Sequence, residues 1–166
     1  MNKTIAKAKL DYSYKEAYDR LLELADSNML KEVVSQKGSE LEPGFLGFID
    51  NYYNALKYIP EKDFIILDIG CYLGVQSCFF SEYNGYIGVD PVKNPEDGSR
   101  MKQYLAENTM YFNETGQFFI RNRLHMLNIN KTFVIMSAVP DKKLTKMIIE
   151  TFKYYYISYP GEETII

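Results

Sequence analysis

From Pro60 onward the chain alternates short runs that are apolar on both faces with amphipathic stretches, and this alternation constrains the fold more than any other feature. The runs are "FIILDIG", "GYIGVD", "TFVIMSAVP" and "YYYISYP", and between them lie "GVQSCFFSEY", "GSRMKQYLAEN", "GQFFIRNRLHML" and "DKKLTKMIIETF". A strand with two apolar faces must be covered on both sides, and helices of about 10 to 12 residues are long enough to cross back over it. The pattern predicts an α/β fold, a three-layer sandwich around a mainly parallel sheet of about five strands, with the first strand at Phe64 to Leu67 and a short one at "TMYF", 109–112.

Two helical stretches precede the sheet. Ser13 and Glu16 form a capping-box pair, and Tyr14, Ala17, Tyr18, Leu21, Leu22 and Ala25 follow at helical spacing, which predicts a helix over about 14–34 with a break near Ser27 and Asn28. Pro43 suits a first helical turn, and Phe45, Phe48, Ile49, Tyr52, Leu56 and Ile59 form one stripe before Pro60 ends it. The stripe reads as core packing. With 166 residues, 46 % of them hydrophobic, the chain suits a single domain, 1–166. In it a helical cap (1–59) precedes the strand-and-helix core (60–166), and roughly 70 % of the surface of the unfolded chain is buried. "PVKNPEDGS", 91–99, is the one clear long loop.

Composition excludes several classes. A net charge of -3 and a pI of about 5.3 repel nucleic-acid phosphates. The one basic segment, Arg121, Arg123 and Lys131 followed by Lys142, Lys143 and Lys146, reads as a solvated helix face, so no nucleic-acid partner is expected. The opening "MNKTIAKAKLDYSYKEAYD" lacks the apolar core of a secretory signal, and no apolar run approaches the ~20 residues that span a bilayer. A soluble, cytoplasmic protein without membrane contact is the expectation. Cys71, Cys78 and the single His125 are too few for a disulfide framework or a zinc site. Both cysteines are read as reduced, Cys78 as a core residue, and His125 as a solvent-facing or packed side chain of an amphipathic helix.

The chemistry concentrates in "LDIGCYLGVQS", 67–77, where an apolar strand ends in a carboxylate and two glycines four apart. In an open parallel sheet, ligands collect at the carboxyl ends of strands where the connection order reverses. Gly70 can take backbone angles closed to other residues, and Gly74 lets a new helix start close to the strand or to a ligand. With the amides of a helix N-terminus, such a turn cradles a nucleotide-like molecule. The spacing matches neither G-x-G-x-x-G nor G-x-x-x-x-G-K-[ST]. Asp68 places a negative charge in the turn, which repels a pyrophosphate and suits the ammonium and sulfonium charges of S-adenosylmethionine.

"FIILDIGCYLG" resembles the first motif of the class I S-adenosylmethionine-dependent methyltransferases, an apolar strand, Asp or Glu, then x-Gly-x-Gly-x-Gly. "GYIGVDP" agrees, placing Asp90 22 residues after Asp68, where an acid of that family holds both ribose hydroxyls; one carboxylate can accept two hydrogen bonds from a vicinal diol. The resemblance covers about 60–160. It implies a Rossmann-like fold, S-adenosylmethionine as cofactor, and a cofactor site of Asp68, Gly70, Cys71, Tyr72, Gly74 and Asp90. Asn113, with Glu114 beside it, falls where the family meets the adenine amine, and Ser137 where it meets the methionyl part or the acceptor. The implied activity is methyl transfer by in-line displacement to a small-molecule or protein acceptor that the residues do not name. Because the sulfonium is already activated, alignment supplies most of the acceleration and no catalytic residue is obligatory.

Three departures stand beside the resemblance. Tyr72 occupies the middle glycine. Ser137-Ala138-Val139-Pro140-Asp141 stands where amino-methylating members carry Pro-Pro-aromatic, which argues against a DNA-base or glutamine methylase. "GEETII" follows the fifth strand where the family continues through a helix and a hairpin, so the alternatives are a minimal member or a homodimer or partner chain that completes the site. The residues also have plainer roles: Asp68 as a helix N-cap or turn former, Asp90 as a loop acid before Pro91, Tyr72 as packing or a lid, and Asp141 as a first-turn acid. Two rival functions remain, a non-catalytic methyltransferase-like binding or regulatory module and a nicotinamide-dependent dehydrogenase, which the absent G-x-G-x-x-G disfavours.

Overall fold

The structure, a computed structural model, describes residues 14–24, 43–72, 74–91, 109–137, 139, 141–159 and 164–166. Ser13, the expected helix continuation over 25–34 with its break at Ser27 and Asn28, the side chains of Phe45 and Phe48, the loop over 92–99, the amphipathic stretch at 98–108, Ala138 and Pro140 lie outside the described residues.

Five strands, β1 (Ile65–Ile69), β2 (Gly85–Val89), β3 (Thr109–Phe112), β4 (Thr132–Ser137) and β5 (Tyr154–Ser158), form one parallel sheet in the order β3-β2-β1-β4-β5. β1 runs past the expected end at Leu67. Its ladder continues on both sides, with Asp68 opposite Gly88 and Ile135, and Ile69 opposite Val89 and Met136.

The side-chain alternation of the strands builds two cores. On one face, helices α1 (Tyr14–Leu24) and α2 (Pro43–Ala55) contribute Ala17, Leu21, Ile49 and Tyr52, which pack with Ile66, Phe133 and Ile135 of the sheet. On the other, α3 (Gly116–Arg123) and α4 (Lys142–Thr151) contribute Phe119, Ile120, Leu144 and Ile148, which pack with Leu67, Ile69, Val134 and Met136. This is the expected three-layer α/β sandwich, with helices preceding the sheet. Thr115 caps α3 by accepting the Phe118 N–H, and Asp141 caps α4 by accepting the Leu144 N–H.

One crossover differs from expectation. The segment after Gly74 is a 3-10 helix, Val75–Phe80, with all six residues buried. Residues 75–84 must descend the height of a five-residue strand, about 16 Å at 3.3 Å per residue, and still turn into β2. A 3-10 helix rises about 2.0 Å per residue against 1.5 Å for an α-helix, so it covers that height with fewer residues. Beyond β5, Ile165 pairs with Ile157 as an isolated antiparallel bridge, with both N–H···O bonds at 2.8 Å. Among the described residues no helix is long and apolar enough to cross a membrane.

Candidate functional site

The strand order places the reversal between β1 and β4, and the segments that follow these strands meet there. After β1 the backbone takes left-handed angles at alternate residues, Gly70 at φ 81°, Tyr72 at 47° and Gly74 at 72°. The Gly70 N–H donates to the Val89 carbonyl at 2.7 Å, and the Gly74 N–H donates to the Cys71 carbonyl at 2.9 Å. Glycine is required at 70 for a second reason, since the Val139 side chain, from the segment after β4, occupies the place of any Cβ there. The buried Cys71 lies over Gly88 of β2, with its Sγ 2.8 Å from where a Gly88 side chain would begin. Tyr72 holds the same kind of angle without glycine's freedom, at a cost of about 1 kcal/mol. Its ring is 64 % exposed.

Asp90 sits one residue past β2 and faces this turn. The Tyr72 N–H donates to its Oδ2 at 2.9 Å, and the Tyr111 hydroxyl donates to its backbone carbonyl at 2.6 Å. Among the described residues Oδ1 has no partner. Burial pushes the Asp90 carboxyl above its ordinary range, and the Tyr72 amide pulls it partly back.

A cavity of about 510 Å³ opens at this edge, within the ~300–1,000 Å³ of small-molecule sites. Ile69 and Gly70 line it from β1 and its turn, and Val89, Asp90 and Pro91 from β2. Thr115, Gly116 and Gln117 line it from the start of α3, and Val139, Asp141 and Leu144 from the segment after β4 and the start of α4. Its walls are mostly aliphatic. At the rim opposite β2, the Gln117 Nε2 donates to the Asp141 Oδ2 at 2.7 Å. The Leu144 amide and then Gln117 hold the Asp141 carboxyl below its ordinary range.

Of the eight positions singled out in the sequence, Gly70 and Asp90 line the cavity. Gly74 and Tyr72 shape the turn beside it. Asn113 is exposed just past β3, two residues before Thr115, and does not line the cavity. Ser137 is buried on the α2 face, where its Oγ accepts from the Asn51 Nδ2 at 3.1 Å while the Ser158 Oγ donates to the Asn51 Oδ1 at 3.3 Å.

Asp68 requires a correction, because it lies within β1 and not in the turn. Its side chain is fully buried on the α2 face. The Tyr52 hydroxyl donates to Oδ1 at 2.8 Å, the Gln76 Nε2 donates to Oδ2 at 2.7 Å, and the Tyr86 hydroxyl also donates to Oδ2. Burial raises its pKa to about 6 against the pull of these three donors.

The cavity residues that sequence reasoning missed include Thr115, Gln117, Val139 and Asp141. Thr115 and Asp141 carried a signal, since each is a capping type just before an amphipathic stretch at a strand end. Gln117 and Val139 carried none.

No family model and no curated protein matches the sequence. Among solved structures, the plantazolicin methyltransferase BpumL in complex with SAH matches 87 % of this chain at 16 % identity and a TM-score of 0.50, and the match covers 59 % of that protein. A Listeria monocytogenes protein, assigned as an S-adenosylmethionine-dependent methyltransferase, matches 66 % of this chain at 14 % identity and a TM-score of 0.48, over 54 % of its own length. The likeness to BpumL is one of architecture. The chain shares its α/β, Rossmann-like fold. The chain spans between half and three-fifths of the length of these two proteins. The cavity described above lies at the switch point of the sheet, where open α/β sheets bind ligands.

The open Asp90 Oδ1 can accept from a vicinal diol, aliphatic walls suit a flat base, and the Gln117–Asp141 pair supplies polar groups at the far rim.

Proposed function

We propose that the chain binds S-adenosylmethionine in the carboxyl-edge cavity and serves as a methyltransferase, or as the donor-binding part of one. The observation that carries this reading is the Asp90 carboxylate, fixed by the Tyr72 amide at the end of β2, its second oxygen without a partner among the described residues. When bound, S-adenosylmethionine supplies an activated methyl sulfonium, and BpumL, the neighbour of the same fold, is complexed with SAH. The residues of this chain have the tasks of holding and orienting. Asp90 receives the ribose diol, Gly70 lets the ligand approach the backbone, and Ile69, Val89 and Val139 exclude water from the base.

The two carboxylates of the cavity are both engaged, Asp90 by Tyr72 and Asp141 by Leu144 and Gln117. With Asp90 assigned to the ribose diol and Asp141 held by its own partners, neither described carboxylate is left over as a general base, which favours an acceptor whose nucleophilic atom already carries an available lone pair. The same feature favours a second reading, a donor-binding module that leaves transfer to another chain.

Calorimetry with S-adenosylmethionine and S-adenosylhomocysteine tests the proposal. The expected result is micromolar binding that Asp90→Ala weakens about tenfold, the size of a lost charge-assisted hydrogen bond. Absence of heat and of thermal shift with both ligands overturns it, and binding without transfer to any acceptor selects the second reading.

A further inference from the structure

The buried Asp68 cluster and the cavity meet in one peptide unit. The Gln76 Nε2 that donates to Asp68 also donates to the Cys71 carbonyl at 2.7 Å. The N–H of that same peptide unit belongs to Tyr72 and donates to the Asp90 Oδ2 at 2.9 Å. The Cys71–Tyr72 peptide plane is therefore pinned on one side by the Asp68 cluster and on the other by the acid of the cavity. Because a peptide plane is rigid, rotating it to suit one partner misaims it at the other.

We propose that Asp68 is a positioning residue, held by Tyr52 of α2, whose hydrogen bonds set the Cys71–Tyr72 peptide plane and through it the aim of the Asp90 carboxylate into the cavity. This inference rests on the donor-binding reading for its ligand and on bond geometry alone for the coupling. It gives α2 a role at a cavity it does not line. The groups that face the Asp68 carboxylate are the Tyr52 hydroxyl from α2, the Tyr86 hydroxyl from β2, the Gln76 amide from the 3-10 helix and the Cys71 thiol from the turn. The Asp90 charge acts across the turn. A charged Asp68 accepts from three donors. A protonated Asp68 binds Gln76 more weakly and slackens the plane.

Tyr52→Phe removes one hydroxyl and keeps the ring in the core, and Asp68→Asn removes the titration. Two readouts are taken on the full chain: S-adenosylhomocysteine affinity by calorimetry from pH 5 to 8, and amide hydrogen exchange over 70–76 in the ligand-free protein. The wild type is expected to lose affinity as pH falls through about 6. In Tyr52→Phe the affinity at pH 7.5 falls about five-fold, the pH midpoint moves upward, and exchange over 70–76 quickens. In Asp68→Asn the part of the pH dependence belonging to Asp68 vanishes. A purely structural Tyr52 would leave the midpoint where it is. An unchanged midpoint with unchanged exchange overturns the inference. If the wild type binds no S-adenosylhomocysteine, the donor-binding reading fails, and the exchange readout alone decides the coupling: faster exchange in Tyr52→Phe supports it and unchanged exchange sinks it.

Discussion

β1 and β2 carry their acids in nearly the same sequence pattern, an apolar run ending in Asp near a glycine, yet the two acids have opposite surroundings. Asp68 pairs with Gly88 inside the ladder, while Asp90 lies one residue past Val89, the last residue of its strand. Asp90 is thus level with Gly70, two residues or about 7 Å further along the sheet. The shift takes one acid from a closed core to an open edge. It also separates their surroundings, since the Asp68 carboxylate accepts three internal hydrogen bonds while the Asp90 carboxylate accepts one among the described residues, from the Tyr72 amide. Similar motifs became different chemistry because the sheet register, and not the motif, sets the depth.

The largest effect that would sharpen this contrast is on stability. Asp68→Ala takes their acceptor from the Tyr52 and Tyr86 hydroxyls in a fully buried void, while the Gln76 amide keeps the Cys71 carbonyl; at about 1–3 kcal/mol for each hydroxyl left unsatisfied, and with the void added, a loss of about 3 kcal/mol or more is expected in urea denaturation. Asp90→Ala, made at the open edge, should stay within about 1 kcal/mol of wild type in the same measurement. If the two variants lose equal stability, the distinction between a core acid and a site acid collapses.

Somewhat smaller is the dependence on pH. The folded pKa of Asp68 is raised to about 6 from 3.8, so the folded state favours its protonated form. Its contribution to stability is fully present below about pH 4 and is lost as pH rises through 6, in total about 3 kcal/mol. Asp68→Asn should therefore narrow its stability gap to wild type by about that amount between pH 4 and 7, followed by chemical denaturation across the range. Asp90 has a raised pKa of the same sign, but it remains in both proteins, so all of its contribution except its coupling to Asp68 cancels in the difference. A constant gap would mean that Asp68 titrates in the fold as it does in the unfolded chain.

The sheet was legible in the sequence because its signal is dense. Four runs with two apolar faces admit few arrangements other than a covered parallel sheet, and β3 as well as β4 fell where the pattern placed them. The first crossover was not legible as a 3-10 helix. "GVQSCFFSEY" scores as amphipathic, and only the strand height it must descend distinguishes the tighter helix. In the site, Gly70 and Asp90 were readable because backbone freedom and a strand-end acid are local requirements. Asp68 was readable as an acid near the end of an apolar strand but not as buried. Its partners Tyr52, Gln76 and Tyr86 come from three separate elements, and a residue's strand register is invisible until the ladder is built. Gln117 entered the cavity for the same reason, through the packing of α3 against β1 at Gly116, where any Cβ would collide with Ile69.

The smallest expected effect lies in Tyr72, whose amide and ring can be separated. Tyr72→Gly keeps the N–H that Asp90 accepts and removes the left-handed strain of a side chain at φ 47°. Relief of about 1 kcal/mol is partly offset by the greater freedom of glycine in the unfolded chain. The net expectation is a gain of about 0.5 kcal/mol in denaturation, with S-adenosylhomocysteine affinity unchanged within about two-fold. That pairing would show that the turn aims Asp90 through its backbone alone, and that the ring, exposed as it is, serves no ligand in this cavity. A stability gain accompanied by a tenfold loss of affinity would reverse the assignment. The ring would then cover the ligand, and the strain at Tyr72 would be retained because a glycine there cannot supply that contact.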